Sequence, residues 1–188
     1  MNCLLELGVA LNPNGALTHY NNPFSLHTIF HFPEGKVLAQ ITEEISVADL
    51  YHKFQQQQID YGLSFRAVKQ VWRNQDRALG HIVLPESVAL DLDNYQLHPV
   101  LLDTCLQVLD ATLLEEQEET YVPVLFQELR FFGQPSNQMW CDASLHKRES
   151  DRPKTLNADI KLFSPQGQLI AEINGLQLKR VRRQTMFG

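Results

Sequence analysis

Asp103, Gln107 and Asp110 recur at i, i+4 and i+7 inside a segment that is otherwise mostly apolar from Val100 to Leu114. On a helix, that spacing sets all three side chains on one face. A carboxyl group among apolar neighbours loses hydration, and its pKa rises in favour of the neutral acid. An acid kept protonated near neutral pH can hand a proton to a departing group. The same stripe also reads as a hydrogen-bonded, partly solvated edge of a buried helix with no chemistry attached. Spacing by itself does not separate the two.

The helix that carries the stripe is well marked. Asn94 to His98 form a polar lead-in, and Pro99 suits a first helical turn, where its missing N–H is not needed. From Val100 onward apolar side chains point nearly all the way round, which predicts burial on most sides.

The elements before it read as one helix and a hairpin. Ser46 is placed as an N-cap with Asp49 three residues on, and Val47, Leu50, Tyr51 and Phe54 at helical spacing predict an amphipathic helix over 47–58. Strands are expected over 65–73 and 78–84, with Asn74-Gln75-Asp76 turning between them and Pro85 closing the second. A polar connector spans 86–97.

After the helix come an acidic loop at 115–119 and a strand from Tyr121 to Phe132, which Pro123 restricts to an edge or a bulge. Residues 138–146 alternate, with Met139, Cys141, Ala143 and Leu145 on one face. Leu156, Ala158, Ile160 and Leu162 alternate again. Ser164-Pro165-Gln166-Gly167 turns into a last strand that Gly175 is expected to bulge. Lys179, Arg180, Arg182 and Arg183 read as a short basic linker. The sum is an α+β chain with an antiparallel sheet.

Residues 1–40 carry fewer signals: a strand near Leu4 to Ala10, a turn at Asn12-Pro13-Asn14-Gly15, and a β-prone run from Phe24 to Phe32. His27 and His31 stand four apart, a metal-pairing distance on a helix. The surrounding residues favour a strand, so no metal site is assigned.

Composition limits the partners. A net charge of −6 over 188 residues, with no basic block, argues against nucleic acid. No apolar run approaches membrane-spanning length, and the amino terminus lacks a signal-peptide layout. Cys3, Cys105 and Cys141 are widely spaced and odd in number, which suggests neither a disulfide framework nor a zinc pattern and fits a cytoplasmic setting.

The run HPVLLDTCLQ, from His98 to Gln107, resembles the HPxLLDxxxQ signature of the second hotdog half of polyketide synthase dehydratase domains. Tyr61-Gly62-Leu63-Ser64-Phe65 is similar to that family's YGPxF element, with Leu63 in place of proline, and Tyr121-Val122-Pro123-Val124 to its YLPV strand. The resemblance implies a hotdog fold, an antiparallel sheet wrapped around a central helix. Residues 41–183 would form the second hotdog, 1–40 remnant strands from the end of a first, and 184–188 a tail. Loss of the proline implies a less fixed turn at Leu63.

It also implies roles. Asp103 takes the place of the acid that protonates the hydroxyl leaving a 3-hydroxyacyl thioester, and Gln107 that of the glutamine orienting it. Tyr61 and His98 take substrate-binding places. The family's opposing histidine lies in an HxxxGxxxxP motif; His31 and Gly35 begin such a pattern, but Gln40 stands where proline is expected. The acid half of the dyad is therefore legible and the base half is not. The resemblance implies a degenerate, pseudo-dehydratase domain with a structural or docking role. The alternatives are an active dehydratase, isomerase or cyclase half whose histidine comes from elsewhere, or a piece of a complete domain. Neighbouring synthase domains and an acyl carrier protein are the implied partners, with the substrate on a phosphopantetheine arm and no cofactor or metal. A homodimer would cover the sheet edge and helix face that one hotdog leaves open.

Overall fold

The computed structural model describes residues 9–11, 17–19, 41, 43–113, 120–147 and 153–181. Expectations for 24–32, for His27 and His31, and for the acidic loop fall outside these residues. Strands β1 (Val9–Leu11) and β2 (Leu17–His19) pair antiparallel as a separate ribbon. After β3 (Glu43–Ile45), helix α1 runs from Val47 to Gln56 and buries Leu50 and Phe54 as the helical spacing requires. Ser46 occupies the cap position, but its side chain makes no capping hydrogen bond, so the expected capping box does not form. The Ser46 carbonyl accepts the first helical bond, from Leu50 N–H at 3.0 Å.

The main sheet has eight strands. Strands β4 (Val68–Arg73) and β5 (Arg77–Val83) form the expected hairpin, with Asn74 Oδ1 accepting from the Asp76 and Arg77 amides in the turn. The remainder are β6 (Thr120–Leu125), β7 (Glu128–Phe131), β8 (Gln138–Leu145), β9 (Thr155–Phe163) and β10 (Leu169–Val181). Neighbours run β3-β4-β5-β8-β9-β10-β6, with β7 also against β10, and every pairing is antiparallel. The 86–97 connector is less open than its polarity suggests: α2 (Glu86–Ala89) and a 3-10 turn at Leu92–Asn94 bury Val88 and Leu92.

One strand was expected from Tyr121 to Phe132, and two are found. The cause lies in β10. Gly175 has φ +63°, and the β9 register shifts between Ile173 and Leu176 around it. The bend divides the outer edge of β10 into a stretch that pairs with β7 and another that pairs with β6. Pro123 thus sits on an outermost strand, where its missing N–H is tolerated. Lys179 and Arg180, expected in a linker, belong to β10 and pair with Val122 and Tyr121.

Helix α3 (Pro99–Asp110) lies across one face of this sheet, continued by a 3-10 turn at Ala111–Leu113. Leu101, Cys105, Val108 and Leu109 are buried with Val71, Ile82, Met139 and Ile160 in one core. The approach is closest at Gly80, where a Cβ would stand 2.3 Å from Val108 Cγ2. Glycine is required there because the helix leaves no space for a side chain. Cys105 and Cys141, far apart in sequence, meet in this layer: both are free and buried, with Cys141 Sγ 3.9 Å from the Cys105 carbonyl oxygen. The fold is the expected hotdog-like sheet around a central helix.

Candidate active site

The polar stripe of α3 is assembled into one hydrogen-bond chain. Gln107 is buried, and its Nε2 donates to Asp103 Oδ2 at 2.8 Å and to the Phe65 carbonyl at 3.0 Å. Its Oε1 accepts from the Tyr51 hydroxyl at 3.0 Å. The donors therefore point one way, from Tyr51 through Gln107 to Asp103. The amide cannot turn over without setting its oxygen against two acceptors.

Asp103 is half-buried, and burial lifts its pKa above the usual carboxylate value, while the Gln107 amide opposes part of that rise. The result is a carboxyl group that is oriented and easily protonated. Tyr61 stands beside it, packed edge-to-face on Phe54 with centroids 5.0 Å apart. Burial, and then the charges of Asp103 and Asp110, push the Tyr61 phenol well above its ordinary value, so it remains a donor. Tyr51 is likewise raised, to about 12, chiefly by burial.

The turn that presents Tyr61 does not need the family proline. Phe65 N–H donates to the Gly62 carbonyl at 2.9 Å, Arg66 Nε to the Tyr61 carbonyl at 2.8 Å, and Gln107 holds the Phe65 carbonyl. Leu63 meanwhile projects into solvent. The looseness expected from losing proline is offset by these three bonds.

Asp103, Gln107, Tyr61 and Asp110 line a common cleft of about 200 Å³, walled by Phe54, Leu106 and Leu109 on one side and Val122 and Leu178 on the other. Asp110, also lifted by burial, faces a cation that works against the rise: Lys53 Nζ lies 3.7 Å from its carboxylate. Lys53 is buried and also donates to the carbonyls of Asp110 and Leu113 at 3.2 and 2.8 Å. Neither Tyr51 nor Lys53 was selected from the sequence as a site residue. Their partners lie 56 to 60 positions away, and helical spacing reports only on neighbours within a turn or two.

His98 does not join Asp103, Gln107 and Tyr61 along the cleft. It caps α3: its Nδ1 accepts from the Val100 amide at 3.1 Å, its Nε2 faces the Asp91 carboxylate at 3.7 Å, and Tyr95 packs edge-to-face against the ring. The other histidines with described side chains are also engaged elsewhere. His52 bonds Gln56, His146 bonds Asp159, and His81 stacks on Trp140. Among the described residues, no histidine lines the cleft.

The chemistry on offer is an acid, its amide support and a phenol donor in a small, mostly apolar recess. The family described as "Polyketide synthase dehydratase N-terminal domain" matches residues 30–187. Polyketide synthase PksN of Bacillus subtilis (strain 168) is 30% identical over 127 residues, 67% of this chain and 2% of that protein. Erythronolide synthase EryA2 of Saccharopolyspora erythraea is 26% identical over 142 residues, 72% of this chain and 4% of that one. Among solved structures, the dehydratase domain from the CurJ module of the curacin polyketide synthase superposes with a TM-score of 0.73 at 29% identity, covering 81% of this chain and 54% of that one. The CurK dehydratase domain gives 0.72 at 33% identity, covering 84% and 55%. In CurK, an aspartate-to-asparagine and a histidine-to-phenylalanine variant are each inactive. This chain spans about half the length of those domains and a small fraction of the full synthases. It belongs to the polyketide synthase dehydratase family.

Proposed function

We propose that this chain is the acid-bearing, second-hotdog half of a polyketide synthase dehydratase, which receives a 3-hydroxyacyl thioester on a carrier protein's pantetheine arm and by itself does not dehydrate it. The observation that carries the reading is the cleft: Asp103 is oriented by Gln107 and faces Tyr61, and no described histidine stands opposite. Eliminating water requires a base to take the C2 proton while the C3–O bond breaks, with an acid protonating the departing hydroxyl. Asp103 suits the second transfer, because burial favours its protonated form and the Gln107 amide stabilises the carboxylate left behind. For the first transfer, no histidine among the described residues lines the cleft, and the Asp110 carboxylate is engaged by Lys53. In the CurK dehydratase, loss of either an aspartate or a histidine is inactivating, so an acid without its base predicts a docking or binding domain.

One observation favours a second reading. An acid this completely supported has no structural need of its donor chain, which fits a catalytic half completed by a histidine from another segment or protomer. Incubation with 3-hydroxybutyryl-pantetheine separates the two. The expected result is binding without formation of the 2,3-enoyl product. Turnover that Asp103→Asn abolishes would overturn the proposal in favour of an intact active site.

A further inference from the structure

Thr120 opens β6 and lines the same cleft as Asp103. It is 4% exposed, and its Oγ1 is one of few buried polar atoms among the described residues with no hydrogen-bond partner. A buried hydroxyl gives up its bonds to water on folding, and leaving it unpaired is a standing penalty. Elsewhere this fold satisfies such groups: the hydroxyls of Thr104 and Thr112 each bond a carbonyl of their own helix at 2.7 Å. Thr120 is therefore an exception, and the residue that carries this hydroxyl lines a space that a ligand can enter.

We propose that Thr120 is a specificity subsite that hydrogen-bonds an oxygen substituent, hydroxyl or keto, on the acyl tail of the thioester. This rests on the reading that the cleft receives an acyl chain. Several features place the tail here in preference to the pantetheine arm. The arm is tethered to a protein in solvent and must come from the open side, where Tyr61 and Asp103 are only half-buried and Phe65 is exposed. The tail must then continue inward, past apolar Leu109 and Leu113, both nearly inaccessible. A wholly hydrocarbon tail would leave the Thr120 hydroxyl as destitute as it is now. An oxygenated tail would satisfy it, and a thioester chain extended by two-carbon units carries oxygen on odd-numbered carbons beyond C3. The small volume restricts the cleft to a short stretch of chain, below the range of drug-sized pockets.

The test is calorimetric binding of amide-linked octanoyl-, 5-hydroxyoctanoyl- and 7-hydroxyoctanoyl-pantetheine, with pantetheine alone as control. None has a 3-hydroxyl, so nothing can be eliminated. In the unmutated protein one hydroxylated analogue is expected to bind about tenfold tighter than octanoyl-pantetheine, the scale of a single satisfied buried group. Thr120→Val should erase that preference, leave octanoyl-pantetheine affinity unchanged, and raise the melting temperature of the unliganded protein. Equal affinities in the unmutated protein, or a preference that survives Thr120→Val, would overturn the subsite while the acyl cleft stands. Weakened binding of pantetheine alone by Thr120→Val would move the contact to the arm and overturn the tail assignment. If no acylated analogue binds, the cleft reading falls, and the subsite with it. A lower melting temperature for Thr120→Val would show that the hydroxyl already has a partner.

Discussion

The two carboxylates of α3 share a helix face and a cleft but are treated differently. Asp103 meets a neutral amide, Gln107, which is itself held by Tyr51. Asp110 meets a cation, Lys53, which also clamps two carbonyls at the end of the helix. A neutral donor fixes where a carboxyl group points and favours the ionised form only in part, so burial still keeps the pKa raised. A cation favours the ionised form and ties two elements together, here α1 and α3. The first arrangement suits proton transfer and the second suits architecture, although burial pushes both acids the same way.

Removing the cation should have the largest effect. Lys53→Met leaves Asp110 without its counter-charge and the Asp110 and Leu113 carbonyls without their donor, an expected loss of about 3 kcal/mol. Urea unfolding followed by circular dichroism measures it. A loss no larger than that of an exposed lysine would deny Lys53 its clamping role.

Cutting the donor chain should cost less. Tyr51→Phe strips Gln107 Oε1 of its donor inside the protein, for about 1 kcal/mol. NMR titration of the Asp103 carboxyl carbon should then register a changed pKa as the amide loosens, and an unmoved titration would show that Gln107 is held well enough by Phe65 alone.

The smallest effect concerns Asp103 itself, and its sign is diagnostic. Its folded-state pKa is raised, so its contribution to stability is full below the unfolded value near 4 and declines as pH rises through the folded value. Asp103→Asn removes that decline. The variant should gain something under about 1 kcal/mol at pH 7, a figure kept low because the carboxyl group retains solvent contact, and nothing at pH 3. Paired unfolding curves at the two pH values check it; a variant less stable at pH 7 would mean that the charge is structurally required.

Much of this comparison was legible beforehand, and the remainder was not for a physical reason. The alternation of Met139, Cys141, Ala143 and Leu145, and the helix from Pro99 with Asp103 and Gln107 on one face, follow from local periodicity and appear as expected. The break between β6 and β7 did not show, because it comes from Gly175 on another strand. Lys53 reads as the polar side of an amphipathic helix; only folding sets it under the end of α3. His98 lies in a recognised signature, yet its ring is occupied at the helix start. Thr120 has no motif, since the absence of a partner is a property of three dimensions.

The sheet's far side has a consequence for how the cleft can be watched. Along β4, β5 and β8 side chains alternate faces, and Trp72, His81 and Trp140 stack opposite α3 in a small cluster with Ile41 and Leu79. These are the chain's two indoles. Neither indole lines the recess, so their emission reports unfolding more directly than occupancy. Tyrosine, present on the cleft side as Tyr51 and Tyr61, is the intrinsic chromophore that can sense a guest.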